Sequence, residues 1–263
     1  MIKIFLLSII LIFFTVSIPA QILNVEQYRP DKDTSHLWLG TINLGLSTKK
    51  QLNNILTYTS DLNIAYMSEK HTYMFLNHLN LVRVAGAKVI SEGYFHFRWN
   101  IARKQFLSYE PFVQYQYDLG RGMNSRQLLG ITGRFDLRSI EKLLLSFNTG
   151  LMYEDEVWVG KVRRYATDTS NTRAHTRFVK STSNLGFRYK FRPGLSLFSL
   201  TYYQARFDKF FSPRIISDTQ LQIQINKYLS LLTQFTITFD DNPVITNTQI
   251  IFSTNHLLVV KFP

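Results

Sequence analysis

A few short stretches of this 263-residue chain carry residue types that could do chemistry. His78-Leu-Asn80 sets an imidazole and an amide two positions apart, the spacing at which two side chains of a strand share a face. A lipase-type site would also need a serine held by that histidine, with a third polar group fixing the ring. No serine lies beside them in that stretch. Ser253-Thr-Asn-His256 offers hydroxyl, amide and imidazole, but Ser253 and His256 are three apart and fall on opposite faces of a strand. Glu154-Asp-Glu156 could supply the paired carboxylates of an acid protease, although a solvated loop is the expected reading. The six histidines are scattered without metal-ligand spacing, and no glycine-rich phosphate loop occurs. The expectation is a protein with no catalytic site, no metal and no cofactor. A lipid-modifying or proteolytic enzyme is the alternative that these stretches leave open.

Charge is the richer signal. Lys and Arg number 30 against 18 Asp and Glu, a formal net of +12. Such a balance usually points to nucleic acid, but the leader and strand pattern described below argue against that partner. Lys161, Arg163, Arg164, Arg173 and Arg177 cluster in or beside the longest expected loop, at the level of lipopolysaccharide phosphates if the chain spans an outer membrane. Arg98, Arg134, Arg188 and Lys190 share a strand face with Glu110, Asp118 and Asp136. That face either neutralises itself or leaves a positive field along a narrow lumen. Lys104, Lys142, Arg192 and Lys227 decorate expected short turns.

The elements that must position these groups are strands. In Leu107–Asp118, Leu107, Tyr109, Val113, Tyr115 and Tyr117 alternate with Ser108, Glu110, Gln114, Gln116 and Asp118. A period of two makes a ribbon with one apolar and one polar face. Comparable segments are expected near 37–47, 57–67, 72–84, 93–101, 107–118, 126–137 and 143–154, then near 177–191, 195–207, 219–228, 231–240 and 246–262. Within 195–207, Leu197 and Phe198 both compete for the apolar face. The count is about twelve, with ten and fourteen as the alternatives. Every second connection reads as tight, including Ser68-Glu-Lys70 and Arg192-Pro-Gly194, and the intervening ones are generally longer.

Ahead of the strands, Lys3, the apolar run 4–14 and Ser17-Ile-Pro-Ala20 read as a secretory signal peptide, residues 1–20, cleaved after Ala20. Residues 21–36 read as a periplasmic lead-in, and 37–263 as the folded domain. There is no cysteine, so neither a disulfide nor a lipoprotein anchor is expected. Mean hydropathy is only −0.06 with 45% hydrophobic residues, and aromatic use is heavy at 21 Phe and 14 Tyr. A helical membrane protein would show long apolar runs, whereas a transmembrane β-barrel hides its lipid face in alternate residues. The expected fold is therefore all-β: an antiparallel transmembrane β-barrel in the outer membrane of a Gram-negative bacterium.

Trp38-Leu-Gly-Thr-Ile-Asn-Leu-Gly45, Tyr115-Gln-Tyr-Asp-Leu-Gly-Arg-Gly122 and Arg126-Gln-Leu-Leu-Gly-Ile-Thr-Gly133 resemble a family of small Gram-negative outer-membrane proteins catalogued as a domain of unknown function, of the salt-induced type. The likeness runs over about 38–153 and weakens onward. Where family members tend to carry Gly-Asn after the first strand, this chain has Asn53-Asn54. The resemblance implies an outer-membrane barrel and carries no catalytic residues. Expected partners are outer-membrane lipid, lipopolysaccharide, the barrel assembly machinery and small solutes. The expected role is porin-like or structural, including a narrow anion-preferring channel; a surface-loop binding or envelope-stress protein is a further alternative.

Overall fold

The computed structural model describes residues 37–50, 52–140, 142–160, 172–226, 229–244 and 249–260. The expected signal peptide and lead-in, together with Lys161, Arg163 and Arg164, lie outside these residues.

Among the described residues, twelve antiparallel strands follow one another: β1 (Leu37–Lys50), β2 (Asn54–Met67), β3 (His71–Val84), β4 (Ala87–Ile101), β5 (Leu107–Asp118), β6 (Met123–Ile140), β7 (Leu143–Gly160), β8 (Thr172–Arg192), β9 (Leu195–Arg206), β10 (Arg214–Gln224), β11 (Leu229–Asp240) and β12 (Ile250–Val260). Each pairs with its sequence neighbours in a single sheet, ordered from β1 to β12. Among the described residues no pairing joins β1 to β12, so the sheet is observed as a continuous meander.

The connections sort the molecule into two rims. The odd rim carries the β1–β2, β3–β4, β5–β6, β7–β8, β9–β10 and β11–β12 connections, and the even rim carries the rest. The three longest, 161–171, 207–213 and 241–249, all lie on the odd rim. The first odd connections are nevertheless tight. Ala85 and Gly86 turn β3 into β4 with φ of 52° and 84°, the paired positive values of a two-residue hairpin. On the even rim Pro193-Gly194 makes the expected turn, with Gly194 at φ 81°.

The period of two governs burial. On β4, Phe95, Phe97 and Trp99 face one way and His96, Arg98 and Asn100 the other; Phe97 is 38% exposed and Arg98 4%. The pattern is inverted relative to a protein folded in water. Leu44, Phe252 and Leu129 are 72%, 67% and 60% exposed, whereas Glu92, Glu110, Arg134, Asn148 and Glu154 are buried. Side chains on the polar face touch across non-neighbouring strands, as when Arg126 on β6 donates to Gln204 on β9 at 3.1 Å. The sheet therefore curls around that face, and its apolar face turns outward.

Two strand expectations need correction. Glu154-Asp-Glu156 is no loop: β7 continues to Gly160, and β8 begins at Thr172, so Arg173 and Arg177 are strand residues too. The turn residues expected at 138–142 shrink likewise, because β6 runs on to Ile140 past a bulge at Asp136/Arg138. The ambiguity in β9 also has a physical cause. Phe198 packs against Leu200, Tyr202 and Ile216 on the inner face, which is locally apolar, so alternation fails there.

Glycine sets the closest approach between strands. A Cβ on Gly150 would stand 2.1 Å from the Ile131 carbonyl oxygen and 2.7 Å from Thr132 Cα, backbone that cannot yield. Gly130 leaves room for the Phe112 ring, which stacks on His96 and lies 5.3 Å beneath the Arg98 guanidinium.

Candidate functional site

Among the described residues the concave polar face gathers the buried charged side chains. It divides into an ionic cluster toward the odd rim, a packed middle, and a basic cavity at the even rim.

The cluster is assembled from five strands. Arg126 Nε lies 3.0 Å from both Glu154 Oε2 and Glu156 Oε1. Arg214 Nη1, from β10, reaches Glu156 Oε1 at 2.7 Å, and its Nη2 reaches Asp240 Oδ2 on β11 at 2.9 Å. Lys180 on β8 pairs with Glu154, and Trp158 Nε1 donates to Glu156 Oε2 at 2.9 Å. Both glutamates are 1% exposed. Charges this deep are tolerated only when paired and hydrogen-bonded, because an ion moved out of water loses several kcal/mol of solvation. Above the cluster, the 3-10 turn Leu119–Arg121 is capped by Asp118, whose carboxylate accepts from the Arg121 backbone N–H at 3.1 Å. Burial pushes the Arg121 guanidinium below its ordinary pKa; Asp118 opposes this, and Arg214 and Arg126 add to it.

In the middle, Arg98 Nη1 donates to Glu110 Oε2 at 3.0 Å while Asn100 donates to Glu110 Oε1 at 2.6 Å. Arg134 donates to Asp136, two positions along the same strand, at 2.9 Å. Arg188 stands over the Phe198 ring at 5.6 Å. A cavity of about 50 Å³ among His96, Arg98, Gln116, Arg126 and Gln204 is the space left here, enough for a water molecule or two and no larger solute. Toward β1 the lining changes. Ala65, Met74 and Leu76 form an apolar cluster, and beside it lies a cavity of about 250 Å³ also reached by Leu39 and Asn63.

The stretches first inspected for catalysis find other partners. His78 Nδ1 lies 2.5 Å from Asp61 Oδ1, and Asn80 donates to Glu92 at 2.8 Å. Among the described residues no hydroxyl bonds to His78. Ser253 is buried and His256 exposed, and His256 Nδ1 meets the Thr233 hydroxyl at 3.1 Å.

The expected lumen charges therefore separate. Arg98 and Glu110 pair with each other, as do Arg134 and Asp136; Asp118 caps its turn, and Arg188 covers a ring. Lys190 is exposed and lines the even-rim cavity, which holds about 450 Å³ and also takes in Lys142 and Arg192. Of the loop group, Arg173 and Arg177 project from β8 on the outward face, where Arg177 Nε lies 2.7 Å from Asp155 and His175 lies 2.8 Å from it. Sequence reading missed Arg126, Lys180, Arg214 and Asp240, and it noticed Glu154 and Glu156 but expected them in a solvated loop. Continuing the parity of Arg134 and Arg188 back along their strands reaches Arg126 and Lys180, but no local pattern brings Arg214 to Glu156, 58 residues away.

A family model described as a protein of unknown function, DUF481, matches residues 42–262. No curated protein and no solved structure matches the chain.

Proposed function

The chain belongs to the DUF481 family, and from that premise we propose that it is an outer-membrane β-barrel with a side-chain-filled interior, a structural membrane protein with at most a narrow passive pore. The observation that carries this reading is the inverted burial. A sheet that buries carboxylates and guanidinium groups while exposing Leu, Ile and Phe along its other face has a surface made for hydrocarbon.

Aromatic rows support the same placement. Near the even rim, Trp38, Tyr66, Tyr73 and Trp99 run across β1–β4 with ring centroids 4.7, 6.3 and 5.8 Å apart. Tyr189 and Phe191 continue the row on β8. Toward the odd rim stand Tyr115 and Tyr117, with Tyr203, Phe210 and Phe211 beyond. Two such girdles flank the apolar band of membrane barrels, where amphipathic rings sit at headgroup level. Long odd-rim connections and short even-rim ones orient the odd rim outward and the even rim toward the periplasm. Arg173, His175 and Arg177 then lie at the level of lipopolysaccharide phosphates. A closed barrel leaves no free strand edge, so a β1–β12 seam would complete the meander.

Paired charges fill the middle and odd-rim parts of the lumen, so any anion preference comes from the even-rim mouth. No catalysis is assigned: His78 is paired with Asp61, and among the described residues no hydroxyl bonds to it. The test is direct. The mature protein should fractionate with outer membrane, run faster on SDS gels when unheated, and give little or no single-channel conductance in a planar bilayer. Recovery as a soluble periplasmic protein would overturn the barrel. Large stable conductance steps would overturn the filled interior.

A further inference from the structure

The even-rim cavity is the part of the interior where cations are gathered without anions. Lys142, Lys190 and Arg192 line it, and among the described residues none of the three has a carboxylate partner. Elsewhere on the polar face Arg98, Arg126, Arg134 and Arg214 meet carboxylates, Arg188 lies over a ring, and the buried Arg103 donates to the Ser68 carbonyl.

From this placement we infer that the cavity binds a small phosphorylated, hydroxyl-bearing solute of the sugar-phosphate class. Two ammonium groups and a guanidinium converging on one space suit a phosphate monoester, which carries close to two negative charges and three acceptor oxygens. The rest of the lining fits the neutral part of such a ligand. Ser196, Gln222 and Gln224 supply a hydroxyl and two amides for sugar hydroxyls, and Pro193 and Leu195 add apolar wall. At about 450 Å³ the space falls within the usual size range of small-molecule pockets and exceeds what a bare inorganic ion needs.

The frame is tied together before any ligand arrives. The Lys190 backbone N–H donates to the Lys142 carbonyl at 2.9 Å, and Gln224 N–H donates to the Gly194 carbonyl at 2.6 Å. Pro193 fixes its own φ, and Gly194 takes the left-handed φ that completes the turn. Preorganisation of this kind lowers the ordering cost of binding. The inner cavity beside His96 and Arg126 holds only about 50 Å³, too little for a sugar phosphate, so the solute sits at the mouth.

That the solute arrives from the periplasm rests on the membrane reading above; the binding chemistry does not. Protein refolded in detergent and still showing the heat-dependent gel shift is titrated by calorimetry with glucose 6-phosphate, inorganic phosphate and glucose. Glucose 6-phosphate should bind at least about tenfold more tightly than inorganic phosphate, and glucose should give no measurable heat. Raising salt from about 0.05 to 0.3 M should weaken binding several-fold, as screening of exposed cations requires. The triple variant Lys142→Gln, Lys190→Gln, Arg192→Gln should lose about tenfold or more in affinity with its gel shift intact, since all three side chains are exposed. Absence of binding by all three probes, equal affinity for inorganic phosphate, or undiminished affinity in the triple variant would each overturn the site. Loss of the gel shift in the unmodified protein would instead overturn the barrel reading.

Discussion

The interior of β6–β11 and the interior of β1–β3 are built from the same alternation, yet they hold the sheet together differently. In the first region Arg214 on β10 reaches Glu156 on β7 across the interior, and Arg126, Lys180 and Asp240 tie that pair to the adjacent strands, so the polar face is braced across its own concavity. In the second, Ala65, Met74 and Leu76 pack only locally, beside a cavity of about 250 Å³. β1 is exposed along almost its whole length. Apolar contacts are non-directional and individually small, whereas a buried ion pair requires a particular partner. The comparison teaches that charge fixes which strands face each other across the interior, while the β1–β3 region depends on its backbone ladder.

The largest effect should come from breaking the brace. Glu154→Ala with Glu156→Ala strands Arg126 and Lys180 without a carboxylate, and leaves Arg214 with Asp240 alone. Breaking a buried pair costs about 3–5 kcal/mol, so the urea midpoint of the refolded protein should fall sharply. A change below about 1 kcal/mol would mean that water reaches the cluster and the contrast between regions is false.

Met74→Ala probes the other region. Truncating a buried methionine costs about 2–5 kcal/mol, and the adjoining cavity removes some of the packing that would be lost, so the low end is expected. Met74→Leu conserves volume and should cost less than about 1.5 kcal/mol. If both leave the midpoint unchanged, β1–β3 contributes nothing through side-chain packing.

The smallest effect is expected at Asp155, on the outward face, which meets Arg177 and His175. Asp155→Asn should move the urea midpoint only slightly, and the shift should vanish at high salt. The brace inside should be nearly indifferent to the same salt. Equal salt sensitivity of the two sites, measured by repeating the urea titrations, would erase the distinction between buried and exposed pairs.

Where reading the sequence succeeded, the signal was local. Leu107–Asp118 is observed with the bounds its alternation gives, because each side chain there reports its face through its own parity. The Pro193-Gly194 turn was legible because those residues have few other backbone conformations open to them. The sequence failed where the environment breaks the rule. Phe198 sits on an inner face that is locally apolar, and Glu154 and Glu156 look like loop residues until their cationic partners are known.

Alternation alone thus determined the strands, their faces and the segregation of charge to one side, since period two is a property of an extended chain and needs no partner. Tertiary structure decided what those charges do. Arg214 meets Glu156 only because the sheet coils, bringing β10 opposite β7, whereas the β7–β8 register sets Lys142 beside Lys190 and Arg192 at the even rim. Pairing across an interior depends on curvature and register summed over many strands, which no single stretch of sequence contains.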